Sequence, residues 1–412
     1  MSLTVDQQRL WQSIEDINRF GATPVGGVCR LEFSSESKKA RDLFVSWCKE
    51  ASCNVRVDRF GNIFARRPGV DDNLPAVIAG SHLDTQTSGG RFDGVFGVMA
   101  GLEVIRTMND NAIETAAPIE VAVWTNEEGE LFKPMIGSAV WLGMENLEET
   151  LSMRESSGMT IKQGLENMGY LGEMELNSYP VKAYFEAHIE QGPILFDNDE
   201  VLGVVTCAQK QFWYNMKVRG QEAHAGPTPM KSRRDAVVAT SRMVLEFDRI
   251  GRKYPNSRST CGHLEVYPNS RNTIPGVVHF TGDLRNPDPE ILDKMDAEMR
   301  ESLKIIANEM KIELELNLHT VIDYVPFNET LVNWVREATI ETGLPWREMY
   351  TGAGHDAVNI AQSYPTSMIF VPCKNGISHN PSEDARPEHL AAGASVLANA
   401  MIRTANYSKD LE

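Results

Sequence analysis

The 412-residue chain predicts an α/β protein in two domains: a larger, discontinuous domain with a central sheet flanked by helices (residues 1–209 and 326–412), and an inserted ferredoxin-like domain (210–325). Three observations predict it. The length exceeds the roughly 250–300 residues at which a single core stops growing. Short apolar runs alternate with stretches of helical periodicity, the pattern of a sheet covered on both faces. The stretch 210–325 reads strand–helix–strand–strand–helix–strand.

In the outer segments, Ala76 to Ala79 is a buried strand that empties into small and polar residues, and Val95, Val98, Leu102 and Ile105 mark one side of a helix over 95–108. Further strands are expected at 119–125, 181–188 and 366–372. In the insert, 211–220 alternates as a half-exposed strand, 232–252 and 289–310 read as helices, two strands flank the turn at 268–275, and 311–321 alternates again.

Composition excludes several classes. The formal net charge of −17, without a dense Lys/Arg tract, opposes nucleic-acid binding. No run of about 18 apolar residues suggests a membrane span. Residues 1–19 are polar and mixed in charge, unlike a secretory signal, so a cytoplasmic location is the expectation. The six cysteines (Cys29, Cys48, Cys53, Cys207, Cys261, Cys373) lack C-x-x-C spacing and read as reduced thiols without an assigned role.

Acidic and imidazole groups gather at or just past the apolar runs: His82 with Asp84, Asp93, the adjacent Glu127 and Glu128, His188, and His379. Ligands bind at the carboxyl ends of strands in open α/β sheets, so these loops are expected to converge. Three histidines with two carboxylates suit zinc, manganese or cobalt. Two such ions about 3.5–4 Å apart clamp a hydroxide and polarise a carbonyl. One of the adjacent glutamates can bind metal while its neighbour serves as general base. Asp84 is placed to fix the His82 tautomer from behind. Each piece has a bland reading: a boundary histidine, a solvated glutamate turn, a plain turn at Ser88-Gly89-Gly90. Their joint occurrence in this order, after apolar strands, favours a site. Arg285 is the natural fork for a carboxylate, since a guanidinium presents paired donors, and a rim salt bridge is the equally weighted plain reading.

The motifs Gly80-Ser-His-Leu-Asp-Thr-Gln, Gly89-Gly-Arg-Phe-Asp-Gly, Thr125-Asn-Glu-Glu-Gly, His188-Ile-Glu-Gln-Gly-Pro, His224-Ala-Gly-Pro-Thr-Pro-Met, Thr351-Gly-Ala-Gly-His-Asp-Ala and Gly376-Ile-Ser-His-Asn-Pro span most of the chain. With them, the sequence resembles the metal-dependent aminoacylase and carboxypeptidase superfamily, in its branch of N-carbamoyl-L-amino acid hydrolases, β-ureidopropionases and allantoate amidohydrolases. The resemblance implies two divalent ions per subunit, zinc first with manganese or cobalt as substitutes. Asp93 would bridge them, with His82 and His188 on one and Glu128 and His379 on the other. Glu127 would be the general base and His224 would stabilise the oxyanion. Gln191, Asn272, Arg285, Gly352 and Gly354 would hold a small substrate bearing a carboxylate, while His355 and Asp356 would support their loop. The inserted domain would act as lid and dimerisation unit of a homodimer. The implied reaction cleaves the ureido C–N bond of N-carbamoyl-L-amino acids. β-Ureidopropionate and allantoate are the rival substrates; a dipeptidase or aminoacylase, or a non-catalytic metal- or peptide-binding relative, is the more distant alternative. A base beside the ligands favours an enzyme.

Overall fold

A computed structural model describes residues 3–409 and Leu411. Met1, Ser2, Asp410 and Glu412, which fall in the expected larger domain, lie outside the described residues. The chain divides into two compact units, Met1–Thr206 with Pro326–Glu412, and Cys207–Val325. The insert thus begins three residues before the position read from the sequence.

Among the described residues the larger unit holds a nine-stranded mixed sheet. At its centre run four parallel strands in the order Ile119–Trp124, Ala76–His82, Val181–Ile189, Thr366–Val371. Ile63–Arg67 flanks them antiparallel on one side and Leu202–Ala208 on the other. Ala76–His82, Ile119–Trp124 and Thr366–Val371 are buried at every residue, which explains why they read as unbroken apolar runs rather than alternating ones. The helices Val95–Asp110 and Pro387–Asn406 pack against this sheet and one another. Because the four strands run parallel, their carboxyl ends share one edge, and the register sets His82 beside Trp124 and His188 beside Phe370.

The smaller unit is a five-stranded antiparallel sheet with Leu264–Tyr267, Val277–Asn286, Lys210–Arg219 and Glu313–Ile322 in that spatial order, and Arg258–Thr260 also paired to Val277–Asn286. Alternate residues Val278, Phe280, Gly282 and Leu284 point inward toward the helices Ala236–Lys253 and Pro289–Met310. The first of these helices starts four residues later than the periodicity predicts. Met230–Ser232 forms a 3-10 turn, and the Asp235 carboxylate caps the helix by accepting the N–H groups of Val237 and Val238. Asp288 caps the second helix in the same way, ahead of Pro289.

Gly282 sits where a strand meets that helical layer: a Cβ there would lie 2.5 Å from Phe247 Cζ and 2.8 Å from Met216 Cε. Gly282→Ala is therefore expected to lower stability by about 1–3 kcal/mol through overpacking. Urea unfolding of the full chain measures it; a midpoint equal to wild type would mean that the Phe247 ring yields without strain.

Candidate active site

The strand ends and following loops of the larger unit bring together five of the side chains singled out above. Asp93 is shared. Its Oδ1 lies 3.2 Å from His188 Nε2 and 3.6 Å from His82 Nε2, and its Oδ2 lies 3.3 Å from His379 Nε2. Glu128 Oε2 is 3.3 Å from the same His379 nitrogen. Two donor groups result, His82–Asp93–His188 and Asp93–Glu128–His379, each with its ligand atoms within 4.8 Å of one another. Glu127 Oε2 stands 3.4 Å from His82 Nε2, beside the first group without belonging to it. A third cluster, Glu186–His188–His355, shares His188 with the first, and both Glu186 oxygens are already used by the Ser81 hydroxyl and the Ala357 N–H.

Local geometry orients each donor. Both imidazoles of the first group place Nδ1 on main-chain carbonyls, His82 on Asp84 O (2.9 Å) and His188 on Ile189 O (3.0 Å), so both present Nε2 to Asp93. The expectation for Asp84 is corrected here. Its main-chain oxygen sets the His82 tautomer, whereas its carboxylate, 3.8 Å from Nδ1, accepts the N–H groups of Glu127 (3.3 Å) and Glu128 (3.1 Å). Asp84 thereby fixes the turn that aims both glutamates. Glu128 is gripped further by Gln86, through its main-chain N–H (3.2 Å) and its side-chain amide (2.6 Å).

Gln191, expected at the substrate, donates to Asp93 Oδ2 (2.7 Å) from a left-handed backbone position. Gly354 lies against Met135, whose N–H donates to the main-chain oxygen of Glu127. His355 packs edge-on to His188 at 4.5 Å between ring centroids, and Asp356 accepts the Ser138 hydroxyl. Glu186, Glu383 and the buried Glu32–Arg41 pair were not singled out from the sequence. Only their three-dimensional burial distinguishes them from solvated acids and bases.

Electrostatics follow from crowding acids in a buried volume. Burial pushes the Glu127 carboxyl well above its ordinary range, Asp356, Glu128 and Asp84 push the same way, and His82 opposes. Burial, then Asp93, raises Glu128 to about 7 against His82 and His379. Burial also acts to raise Asp93, but hydrogen bonds from His188, His379 and His82 outweigh it and hold this carboxyl well below the usual range. The hydrogen bond to Asp93 is the largest influence on His379, which rises to about 9. Concentrated negative charge with imidazole donors is what a divalent cation relieves, so the residues fit such an ion.

In the smaller unit, His224 and Asn272 lie together: Thr273 pairs with His224, and the Ala225 N–H donates to Asn272 O (2.8 Å). His224 Nδ1 accepts the Gly226 N–H (3.1 Å), which leaves the proton of the neutral ring on Nε2. Arg285 sits elsewhere, at the far end of Val277–Asn286, eight residues beyond Val277, about 27 Å at about 3.4 Å per residue. Its guanidinium holds Asp283 Oδ2 through Nε (2.9 Å) and Nη2 (2.6 Å). Directly across from it, Gln211 carries a buried Oε1 without a hydrogen-bond partner among the described residues.

The fold and these donor groups define the class, a two-unit α/β protein with a buried carboxylate–imidazole centre. Residues 78–403 match the peptidase family M20/M25/M40, and the chain belongs to that family. It is 40% identical over 403 residues to the N-carbamoyl-L-amino-acid amidohydrolase of Rhizobium meliloti, covering 97% of each chain. It is 33% identical over 400 residues to the allantoate amidohydrolase of Escherichia coli (strain K12), covering 96% of this chain and 97% of that one. A crystal structure of an amidase of the hydantoinase/carbamoylase family from Burkholderia multivorans superposes with a TM-score of 0.95 at 49% identity, over 99% of this chain and 100% of that one.

The shared position of Asp93 makes a specific demand. Asp93→Ala is expected to empty both donor groups, His188→Ala chiefly the first and His379→Ala chiefly the second. Elemental analysis after dialysis reads this out. Equal metal content in Asp93→Ala and wild type would remove Asp93 from the ligand set.

Proposed function

We propose that this chain is an N-carbamoyl-L-amino-acid amidohydrolase, releasing the L-amino acid, carbon dioxide and ammonia. The observation that carries the proposal is the position of Glu127, beside a donor group and next in sequence to the ligand Glu128, in a chain whose full-length relatives bear that name. Two divalent ions, zinc or its neighbours manganese and cobalt, fit His82–Asp93–His188 and Asp93–Glu128–His379. When bound, they activate water and polarise the carbamoyl carbonyl.

Glu127 takes a proton from the attacking water as its oxygen bonds to the carbamoyl carbon. It returns the proton to the amino-acid nitrogen as the C–N bond breaks, and the carbamate released decomposes to carbon dioxide and ammonia. His224 offers an Nε2–H donor to the oxygen that gains negative charge. Asn272, Gln191, Gly352 and Gly354 contact the substrate, and Arg285 exchanges Asp283 for the substrate carboxylate.

The active form is a homodimer. His224 with Asn272 lies before the Val277 end of the strand Val277–Asn286 and Arg285 near its other end, a separation that a small substrate cannot span. Two copies are needed to bring both to one substrate. The inserted unit serves as lid and dimerisation element.

Turnover measured on N-carbamoyl-L-amino acids, β-ureidopropionate, allantoate and dipeptides tests the substrate, with the first expected to have the highest kcat/KM; a higher value for any other would replace the assignment. Glu127→Gln should keep its metals and lose about 10²–10⁴ in kcat. Loss of metal in that variant would make Glu127 a ligand. For Arg285→Ala, kcat/KM on a carbamoyl amino acid should fall by the equivalent of about 2–5 kcal/mol, with little further loss on the analogue whose carboxylate is amidated. Equal losses on both substrates would assign Arg285 to folding or assembly.

A further inference from the structure

Glu383 is 2% exposed and lies on the loop that carries His379. Its Oε1 accepts two main-chain N–H groups of the neighbouring loop, Phe92 (2.7 Å) and Asp93 itself (3.1 Å). Its Oε2 accepts the hydroxyl of Ser378 (2.9 Å), whose oxygen also lies 2.8 Å from Asp93 Oδ2. One carboxylate therefore joins the backbone of the shared ligand to the residue preceding the ligand His379.

Neither loop has a strand ladder to fix its shape there. His379 stands at φ 52, and Gly90 is held so close to Glu383 that a Cβ would meet the carboxylate at 2.1–2.3 Å. The 3.3 Å approach of His379 Nε2 to Asp93 Oδ2 thus depends on links between loops, and Glu383 is bonded to both sides of that gap.

We infer that Glu383 is a positioning residue that sets the spacing of Asp93 and His379, and with it the affinity of the Asp93–Glu128–His379 group for its ion. This rests on the two-metal reading proposed above. Residues that orient metal ligands from behind typically change metal affinity 10–100-fold when removed. Glutamine keeps an oxygen for the Phe92 and Asp93 amides and can donate to Ser378, which still donates to Asp93. Alanine keeps neither contact.

The experiment titrates Co²⁺ into metal-free full-length protein and follows the absorbance of the bound ion, for wild type, Glu383→Ala, Glu383→Gln and Ser378→Ala. Glu103→Ala is the control, because it breaks the pairing of buried Glu103 with the partly exposed Arg9, away from the donor groups. Wild type should bind two equivalents. Glu383→Ala should weaken one of them 10–100-fold while the other changes by only a few-fold. Glu383→Gln should recover most of the loss, and Ser378→Ala, which removes only a loop hydroxyl, should show a smaller loss at the same equivalent. Glu103→Ala should melt at a lower temperature and bind Co²⁺ as wild type does.

Wild-type affinity for both equivalents in Glu383→Ala and Ser378→Ala overturns the inference. So do equal losses in the Ala and Gln variants, or a loss of the same size in Glu103→Ala. Fewer than two equivalents in wild type itself overturns the two-metal reading and takes the inference with it, a failure visible before any variant is compared.

Discussion

Asp93 faces two imidazoles with one carboxylate oxygen and a third with the other, and the rest of the larger unit's site is arranged around the charge this gathers. Seven acids, Asp84, Asp93, Glu127, Glu128, Glu186, Asp356 and Glu383, are nearly or wholly buried around it. Water would solvate such groups far better than this interior does, so the cluster is unfavourable unless partners compensate. The opposed displacements of Asp93, pulled down by imidazoles, and Glu127, pushed up by burial and its acidic neighbours, express that tension. A group held high on the carboxylate scale accepts a proton readily, which suits a base that must also give it back. The electrostatic condition that a cation would relieve is therefore also the one that raises Glu127, in keeping with the base role proposed for it.

Such a cluster persists only where the backbone leaves it no alternative. Parallel strands deliver His82, the Glu127–Glu128 turn and His188 to one edge because their register is fixed by burial on both faces. Beyond the strand ends, irregular segments are tied by buried polar links. Arg41, fully buried with Glu32, donates to Thr125 Oγ1 (3.1 Å) and to Gly61 O (2.8 Å), while Glu32 accepts the Asn126 N–H (3.4 Å). A buried ion pair contributes little net stability on its own, since desolvation offsets its attraction. Here its hydrogen bonds hold the turn just before Glu127, which gives it a geometric role in addition to its charge.

Much of this architecture is legible in the sequence because it follows from local periodicity. The buried strands read as apolar runs, the inserted sheet as alternation, and the helix Pro289–Met310 has the bounds its pattern predicts. The donor side chains read as chemistry at strand ends. What stays hidden depends on pairing across long separations. Nothing in the sequence separates Glu383 from other acids of its loop until Phe92 and Asp93 are seen to donate to it. Asp84 reads as a partner for His82, yet its main-chain oxygen takes that part and frees the carboxylate for Glu127 and Glu128. Arg285 reads as a fork without showing that Asp283, on the same strand face, already occupies it.

The glycines of Gly89-Gly-Arg-Phe-Asp-Gly show why such a motif is recognisable before it is understood. Scanned locally, they mark a turn. In three dimensions Gly94 combines φ 66 with a Cβ position 2.3 Å from the His82 ring, and Gly90 has its Cβ position inside the Glu383 carboxylate. Asp93 can approach His82 and be held by Glu383 only if Gly94, which follows it, and Gly90, three residues before it, have no side chain. Gly94 is thus the negative image of an imidazole twelve residues before it, and Gly90 of an acid nearly three hundred residues after it. A side chain at either position would act on the donor groups first, because the displaced atoms are the His82 imidazole in one case and the support of Asp93 in the other. The spacing of a short motif therefore encodes the shape of partners that lie far away in the chain.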